Sequence, residues 1–136
     1  MKLLMFYAPE FWYKTHSKSL AEAPDTQAEE RLENLVAVFY QCEAEDPDKR
    51  DSVLAKAVKN IKWLAGKFET RTVLLHSFGH LSGSKAPADF ARNLVADIRA
   101  RLERTGYAVH ETPFGWFNEW KLHCAGESLA KVFKEL

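Results

Sequence analysis

Two short segments combine residue types that can bind and react with a small polar ligand. Ser77-Phe78-Gly79-His80-Leu81-Ser82 follows an apolar strand-like run, Thr72 to Leu75, and Pro113-Phe114-Gly115-Trp116-Phe117 opens another strand-like run. Each sets a glycine, where backbone can approach a ligand closely, beside groups able to grip one. In the first that group is an imidazole, and in the second a row of aromatic faces. A neutral His80 can accept or donate one hydrogen bond to a polar substrate, and it can equally serve as a turn histidine bonded to backbone. His76 lies four residues before His80, a metal-chelating spacing on a helix. Here the pair straddles a strand end, and no cysteine or carboxylate nearby offers a third ligand, so no metal is expected.

The order F-G-H-L-S, then P-F-G with two aromatics and a strand ending in Cys124, resembles the editing domain of archaeal-type threonyl-tRNA synthetases. Met1-Lys2-Leu3-Leu4 and Gly126-Glu127-Ser128-Leu129-Ala130 extend the likeness to both ends. The resemblance implies a fold related to the D-aminoacyl-tRNA deacylases and a substrate-contacting role for His80. It further implies a pocket lined by backbone of Ser77, Phe78 and Gly79, a wall position at Cys42 and a position near the ligand's mouth at Tyr7. Trp116, beside the glycine bend, and Phe117 are the aromatic candidates for the pocket wall. Two departures bear on chemistry. Asn118 stands where the family has a lysine used in hydrolysis, and Lys131 stands where it has a glutamate. The pair reads as a charge moved from strand to helix, with Lys131 and Asn118 joining His80 as catalytic candidates. Lys121 is a weaker candidate, because its odd separation from Asn118 turns it to the opposite strand face.

The activity implied is removal of mischarged L-serine from tRNA(Thr), acting in trans on the aminoacyl-tRNA 3′ end. No cofactor is implied, a homodimer and a link to a threonyl-tRNA synthetase are. The alternatives are a D-aminoacyl-tRNA deacylase and a ligand- or RNA-binding module that has lost hydrolysis along with the lysine.

These residues need elements to hold them. A chain of 136 residues, 46% apolar and 28% charged, has the composition of one ordinary globular domain, residues 1–136. No stretch near the N-terminus is long enough to span a bilayer, and no signal-like cleavage site follows, so a cytoplasmic protein is expected. Nineteen basic and nineteen acidic residues cancel, which is unusual for a protein that holds RNA by its phosphates. The distribution is uneven, with acids crowded between Glu22 and Asp51 and bases on Lys56 to Lys67 and Arg92 to Arg104. Such asymmetry can steer a polyanion or simply solvate helix faces.

Lys2 to Tyr7 reads as a strand ended by Pro9, and Phe11 to His16 as a second arm. Glu33 to Glu43 reads as a buried strand and Asp46-Pro47-Asp48 as a break. Apolar residues from Leu54 to Phe68 recur with helical period, capped by Asp51 or Ser52. Thr72 to Ser77 is a strand, and Phe90, Leu94, Val95, Ile98 and Leu102 mark a helix that follows Pro87 and ends at Gly106. Tyr107 to Glu111 and Trp116 to Cys124 read as strands, and Ser128 to Leu136 as a C-terminal helix. The sum is an α/β chain of the α+β type, a mixed sheet layered with helices in a single domain.

Overall fold

The first strand, β1 (Lys2–Lys18), is 17 residues long in a computed structural model that describes all residues from Met1 to Leu136. Pro9 does not end it, contrary to the sequence expectation. β1 pairs antiparallel with β2 (Glu29–Gln41) from Lys2↔Gln41 to Lys14↔Glu29. On its other edge β1 meets two strands in succession. Lys2 to Phe6 pair with β6 (Lys131–Glu135), and Glu10 to Lys18 pair with β5 (Trp116–His123). Pro9 falls in the gap between these two partners, where its missing N–H breaks no ladder bond. Across β2 it faces Asn34, whose φ of 52° is left-handed.

This paired irregularity shifts which side chains face inward. Ala8 and Phe11 on β1, and Leu32 and Leu35 on β2, join one core cluster although each pair is three residues apart. Regular alternation would put them on opposite faces. Beyond the irregularity the outer halves of β1 and β2 therefore curl back over the sheet. The Tyr13 hydroxyl donates to Glu30 Oε1 at 2.8 Å and reaches the Glu111 carbonyl at 3.5 Å, and His110 Nδ1 lies 3.6 Å from Glu30.

β3 (Thr72–Ser77) and β4 (Ala108–Glu111) add parallel to β2, giving the order β4-β3-β2-β1 with β5 and β6 on the far edge of β1. Parallel neighbours need crossovers, and two helices supply them: α1 (Arg50–Lys67) and α2 (Ala88–Arg104). Their buried stripes pack with Val36, Val38, Tyr40, Val73 and Leu75 in the larger core. The smaller core, Phe11, Tyr13, Phe39, Leu74 and neighbours, lies on the opposite face under the curled strands. Each such leucine or phenylalanine, fully buried, contributes about 1.5–3 kcal/mol.

Three expectations change. Asp46–Lys49 forms a 3-10 turn leading into α1, and no side chain caps the helix, so neither Asp51 nor Ser52 plays that part. The C-terminal segment is not a helix: after a 3-10 turn at Ser128–Ala130 it becomes β6. Val132 and Leu136 pack against the helix-side core while Lys131, Phe133 and Glu135 are exposed, a two-residue period that fits a strand. β5 is consequently not the last strand. The mixed sheet layered with helices stands as expected, and no helix is long and apolar enough to cross a membrane.

Candidate active site

Parallel pairing ends at Tyr40↔Ser77, and the Phe78 N–H extends it by one bond to the Tyr40 carbonyl at 2.9 Å. The chain then leaves the sheet at Gly79. Gln41, at the end of β2, holds the departing loop. Its Oε1 accepts from the Leu81 and Ser82 N–H groups at 2.8 and 2.9 Å, and its Nε2 donates to the Ser82 and Ser84 carbonyls at 2.9 and 2.8 Å. The Ser82 hydroxyl donates to Glu43 Oε2 at 2.7 Å. Burial would push the Glu43 carboxyl up, but the Ser82 hydroxyl, the Met1 amine and Lys2 outweigh it and hold it at about 2. An ionised Glu43 thus anchors the loop from below.

Within this frame the two histidines separate. His76 is 3% exposed, its Nδ1 is 2.9 Å from Thr112 Oγ1, and burial pushes its pKa down to about 4. It is a neutral core residue edge-on to Phe39 at 4.7 Å. His80 is exposed and sits edge-on to Phe78 with ring centroids 4.9 Å apart. Phe78 in turn meets Phe39 at 5.1 Å and Trp120 at 6.4 Å, so an aromatic floor runs from the core to the imidazole. Trp120, 38% exposed, closes that floor from β5 by packing on Phe39 and Phe11.

The two glycines differ. A Cβ on Gly79 would meet nothing closer than the Lys85 ammonium at 3.7 Å, so the protein's own packing does not require glycine there. Gly115 has φ +82°, a Cβ would come within 2.9 Å of the Ala23 Cβ, and its carbonyl accepts from the Ser19 and Leu20 N–H groups. That glycine shapes the bend entering β5.

On β5, alternation puts Trp116, Asn118 and Trp120 on one face and Phe117, 60% exposed, on the other. Trp116 donates its indole N–H to the Pro24 carbonyl at 3.0 Å. Asn118 Nδ2 donates to the Trp116 carbonyl at 3.2 Å, while its Oδ1 is buried with no hydrogen-bond partner in the protein. Lys131 lies on β6 opposite Phe6, not on a helix, and its ammonium donates to the carbonyls of Ala125, Gly126 and Glu127 at 3.0, 3.4 and 3.4 Å.

Ser77, Phe78, Gly79 and His80 are thus gathered at one strand end with Trp120 beside them. Cys42 and Tyr7 are not. The Cys42 thiol is in the helix-side core, where burial, with Asp46 nearby, pushes it up to about 12. Tyr7 stacks on Phe68 at 4.2 Å, with its hydroxyl donated to Asn34 Oδ1. Two surface depressions of about 410 and 440 Å³ flank Trp116, and neither is lined by residues 77–80. Sequence reasoning missed Gln41 as the loop clamp. Its signal was a long amide directly after a run of apolar strand residues, Leu35 to Tyr40, where a polar side chain needs partners.

A curled mixed sheet backed by two helices, with a histidine-bearing loop at the end of a central strand, defines the class of domain. The chain belongs to the archaea-specific editing domain of threonyl-tRNA synthetase, a family that it matches over residues 1–136. Among curated relatives, the threonine–tRNA ligase of Hyperthermus butylicus is 32% identical over 138 residues, covering 97% of this chain and 22% of that protein. The Thermococcus kodakarensis ligase is 31% identical over 139 residues, with 100% and 22% covered. The chain therefore spans about a fifth of the length of these relatives. A solved structure of a c-Myc DNA unwinding element binding protein matches with TM-score 0.66 and 15% identity, covering 100% of this chain and 99% of that one, and so shares the fold.

Proposed function

We propose that this domain hydrolyses the ester joining mischarged L-serine to the 3′ end of tRNA(Thr), acting in trans as a homodimer in the cytoplasm, in partnership with a threonyl-tRNA synthetase. The observation that carries the reading is the exposed His80 on a loop fixed by Gln41, in a chain whose whole length matches an editing family. The chemical need is plain. A synthetic site for threonine cannot strongly reject serine, which lacks only one methyl, so a second site must remove it.

In the reaction water attacks the ester carbonyl carbon, the bond to the ribose oxygen breaks, and that oxygen takes a proton. Serine leaves as the free acid. His80 hydrogen-bonds the substrate, and backbone of Ser77 to Gly79 walls it at close range. Asn118 supplies a neutral amide where the family has its lysine. Oriented water, backbone dipoles and the RNA's terminal hydroxyl then supply most of the rate. A second reading, ligand binding without hydrolysis, is favoured by one observation: the Lys131 ammonium is engaged by three backbone carbonyls.

Deacylation measured on L-Ser-tRNA(Thr), L-Thr-tRNA(Thr) and a D-aminoacyl-tRNA separates these readings. The expected result is faster release of L-serine than of L-threonine, cut about ten- to a hundredfold in His80→Ala, the scale of one lost hydrogen bond to a polar group. Release at the uncatalysed rate selects the binding reading. Preference for the D-ester overturns the serine assignment, and loss of activity in a chelator would revive a metal role for His76 and His80.

A further inference from the structure

The two helices carry their charge differently. On α2, Arg99 meets Glu103 one turn on and Glu111 on β4, and Asp97 meets Arg50. The lysines of α1 have no such partners. Lys56, Lys59, Lys62 and Lys67 have no acid three or four residues to either side, and the only acids between Arg50 and Arg71 are Asp51 and Glu69. Lys56, Lys59 and Lys62 instead repeat every third residue, a spacing that sets like charges side by side and works against the helix. Arg71, just past the helix, and Lys134 on β6 extend the group, and none of the six forms an ion pair. A helix face that is only solvated intersperses the two signs, and this one does not.

Two aromatic rings gather these cations. Trp63, 41% exposed, has the Lys67 and Lys134 ammoniums each 5.9 Å from its ring. Tyr107 has the Lys62 ammonium at 5.9 Å and the Arg71 guanidinium at 5.1 Å. With two cations on each ring, neither is an open platform for the bases of a single strand. Neither of the two depressions beside Trp116 is lined by α1 residues, so this face recognises charge rather than side-chain shape. What it offers is a row of positive charge. From Lys56 to Lys67 the row runs about 17 Å, at about 1.5 Å per residue. A nucleic-acid duplex carries a charge roughly every 1.7 Å of its axis, so that length passes about ten phosphates.

We propose that the exposed face of α1, with Arg71 and Lys134 at its margins, docks the phosphate backbone of an RNA duplex. That this duplex is a stem of the substrate tRNA rests on the function proposed above. The charge pattern does not. α1 follows β2, starts at the end of the sheet where His80 stands, and packs on the face opposite the aromatic floor. A stem lying along α1 is therefore behind the His80 loop and directs one end towards it. Nineteen acids balance nineteen bases over the whole chain, but phosphates meet the local field rather than the sum.

The test is binding of a labelled RNA hairpin, carrying no amino acid, to the full chain over a series of salt concentrations, followed by fluorescence anisotropy. Lys56→Gln, Lys59→Gln and Lys67→Gln combined preserve helix propensity and should leave the circular dichroism spectrum unchanged. This triple variant should weaken the hairpin at least about tenfold and lower the slope of log affinity against log salt by about 2 to 3. Arg31→Gln, at an exposed position on the outer half of β2, should do neither. Equal affinity and slope in the triple variant and the parent chain would overturn the proposal. So would a single strand of the same length binding more tightly than the hairpin. An acidic peptide of equal charge that displaces the hairpin fully would assign the face to a protein and overturn the RNA. On seryl-tRNA(Thr) the triple variant should raise KM about tenfold and keep kcat, and on the seryl ester of adenosine alone it should change neither. An equal loss on the small ester would overturn a docking role. If the hairpin binds through α1 but seryl-tRNA is not hydrolysed, this face stands and the hydrolase reading falls. His80-dependent hydrolysis with hairpin binding unchanged in the triple variant gives the reverse.

Discussion

Gln41 grips Ser82 from both ends of one residue: its Oε1 accepts the Ser82 N–H at 2.9 Å and its Nε2 donates to the Ser82 carbonyl at 2.9 Å. A strand-end amide thereby substitutes for a strand partner and sets where the loop carrying His80 stands. Gln41→Ala would leave the Leu81 and Ser82 N–H groups without their acceptor at a cost of about 1–3 kcal/mol. Much of that cost should fall on the loop alone. Hydrogen exchange should therefore quicken at Leu81 and Ser82 more than in β3, and serine release should slow with it. Unchanged exchange at those two amides would show that the loop holds itself.

Much of the fold was legible because its signals are local. α1, α2 and β3 follow from hydrophobic period and turn residues within their own spans. Two of the failures depend on distant partners. Pro9 ends a strand in an isolated peptide, but here β1 changes partners from β6 to β5 at that point, so the missing N–H has no consequence. Leu129 to Leu136 has helix-compatible composition, yet the open edge at Lys2–Phe6 recruits it as β6, and pairing overrides propensity. The site divides the same way. His80 and its glycine were visible as a motif, and plain alternation along β1 and β2 sends Tyr7 and Cys42 to the helix-side face with Met5 and Tyr40, whereas the clamp at Gln41 depends on β3 pairing beside β2 and bringing the distant 81–84 loop to it.

His76 gives the fold a defined acid sensitivity. Its pKa is about 4 in the folded chain against 6.5 when free, because burial disfavours the charged ring. The unfolded state therefore binds a proton more readily between those values, and stability falls as pH drops from 6.5 towards 4. The full difference corresponds to roughly 3 kcal/mol. Urea unfolding at pH 7 and pH 4.5 should show the loss in the parent chain and a smaller one in His76→Gln, which keeps a polar group near Thr112 but cannot ionise. Parallel pH curves for the two proteins would assign the sensitivity elsewhere.

The glycines at the two loops should respond oppositely to alanine. Gly115→Ala puts a side chain at φ +82°, costing about 1–2 kcal/mol, and adds the 2.9 Å contact with Ala23, so thermal stability should drop. Gly79→Ala has room in the protein and should unfold at nearly the parent temperature. Its added methyl stands where the substrate is proposed to approach, so the KM for seryl-tRNA should rise. A Gly79→Ala protein with unaltered kinetics would place the substrate elsewhere.

Asn118 offers the sharpest separation of binding from stability. Its buried Oδ1 has no partner in the protein, a state that costs about 1–3 kcal/mol unless a ligand supplies a donor. Asn118→Leu, close in shape and without the orphan oxygen, should raise stability by about 1 kcal/mol in denaturant unfolding. If Oδ1 awaits the substrate's ammonium or a ribose hydroxyl, the same change should slow serine release at least tenfold. Lys131 is tested beside it. Its ammonium is committed to the carbonyls of residues 125–127, so Lys131→Ala should loosen that loop. If it also serves the ester, Asn118→Lys combined with Lys131→Glu, the pairing of charges that the resemblance implies, should recover activity relative to Lys131→Glu alone. Strictly additive effects in that cycle would leave Lys131 as a loop clasp and Asn118 as the only one of the two that meets substrate.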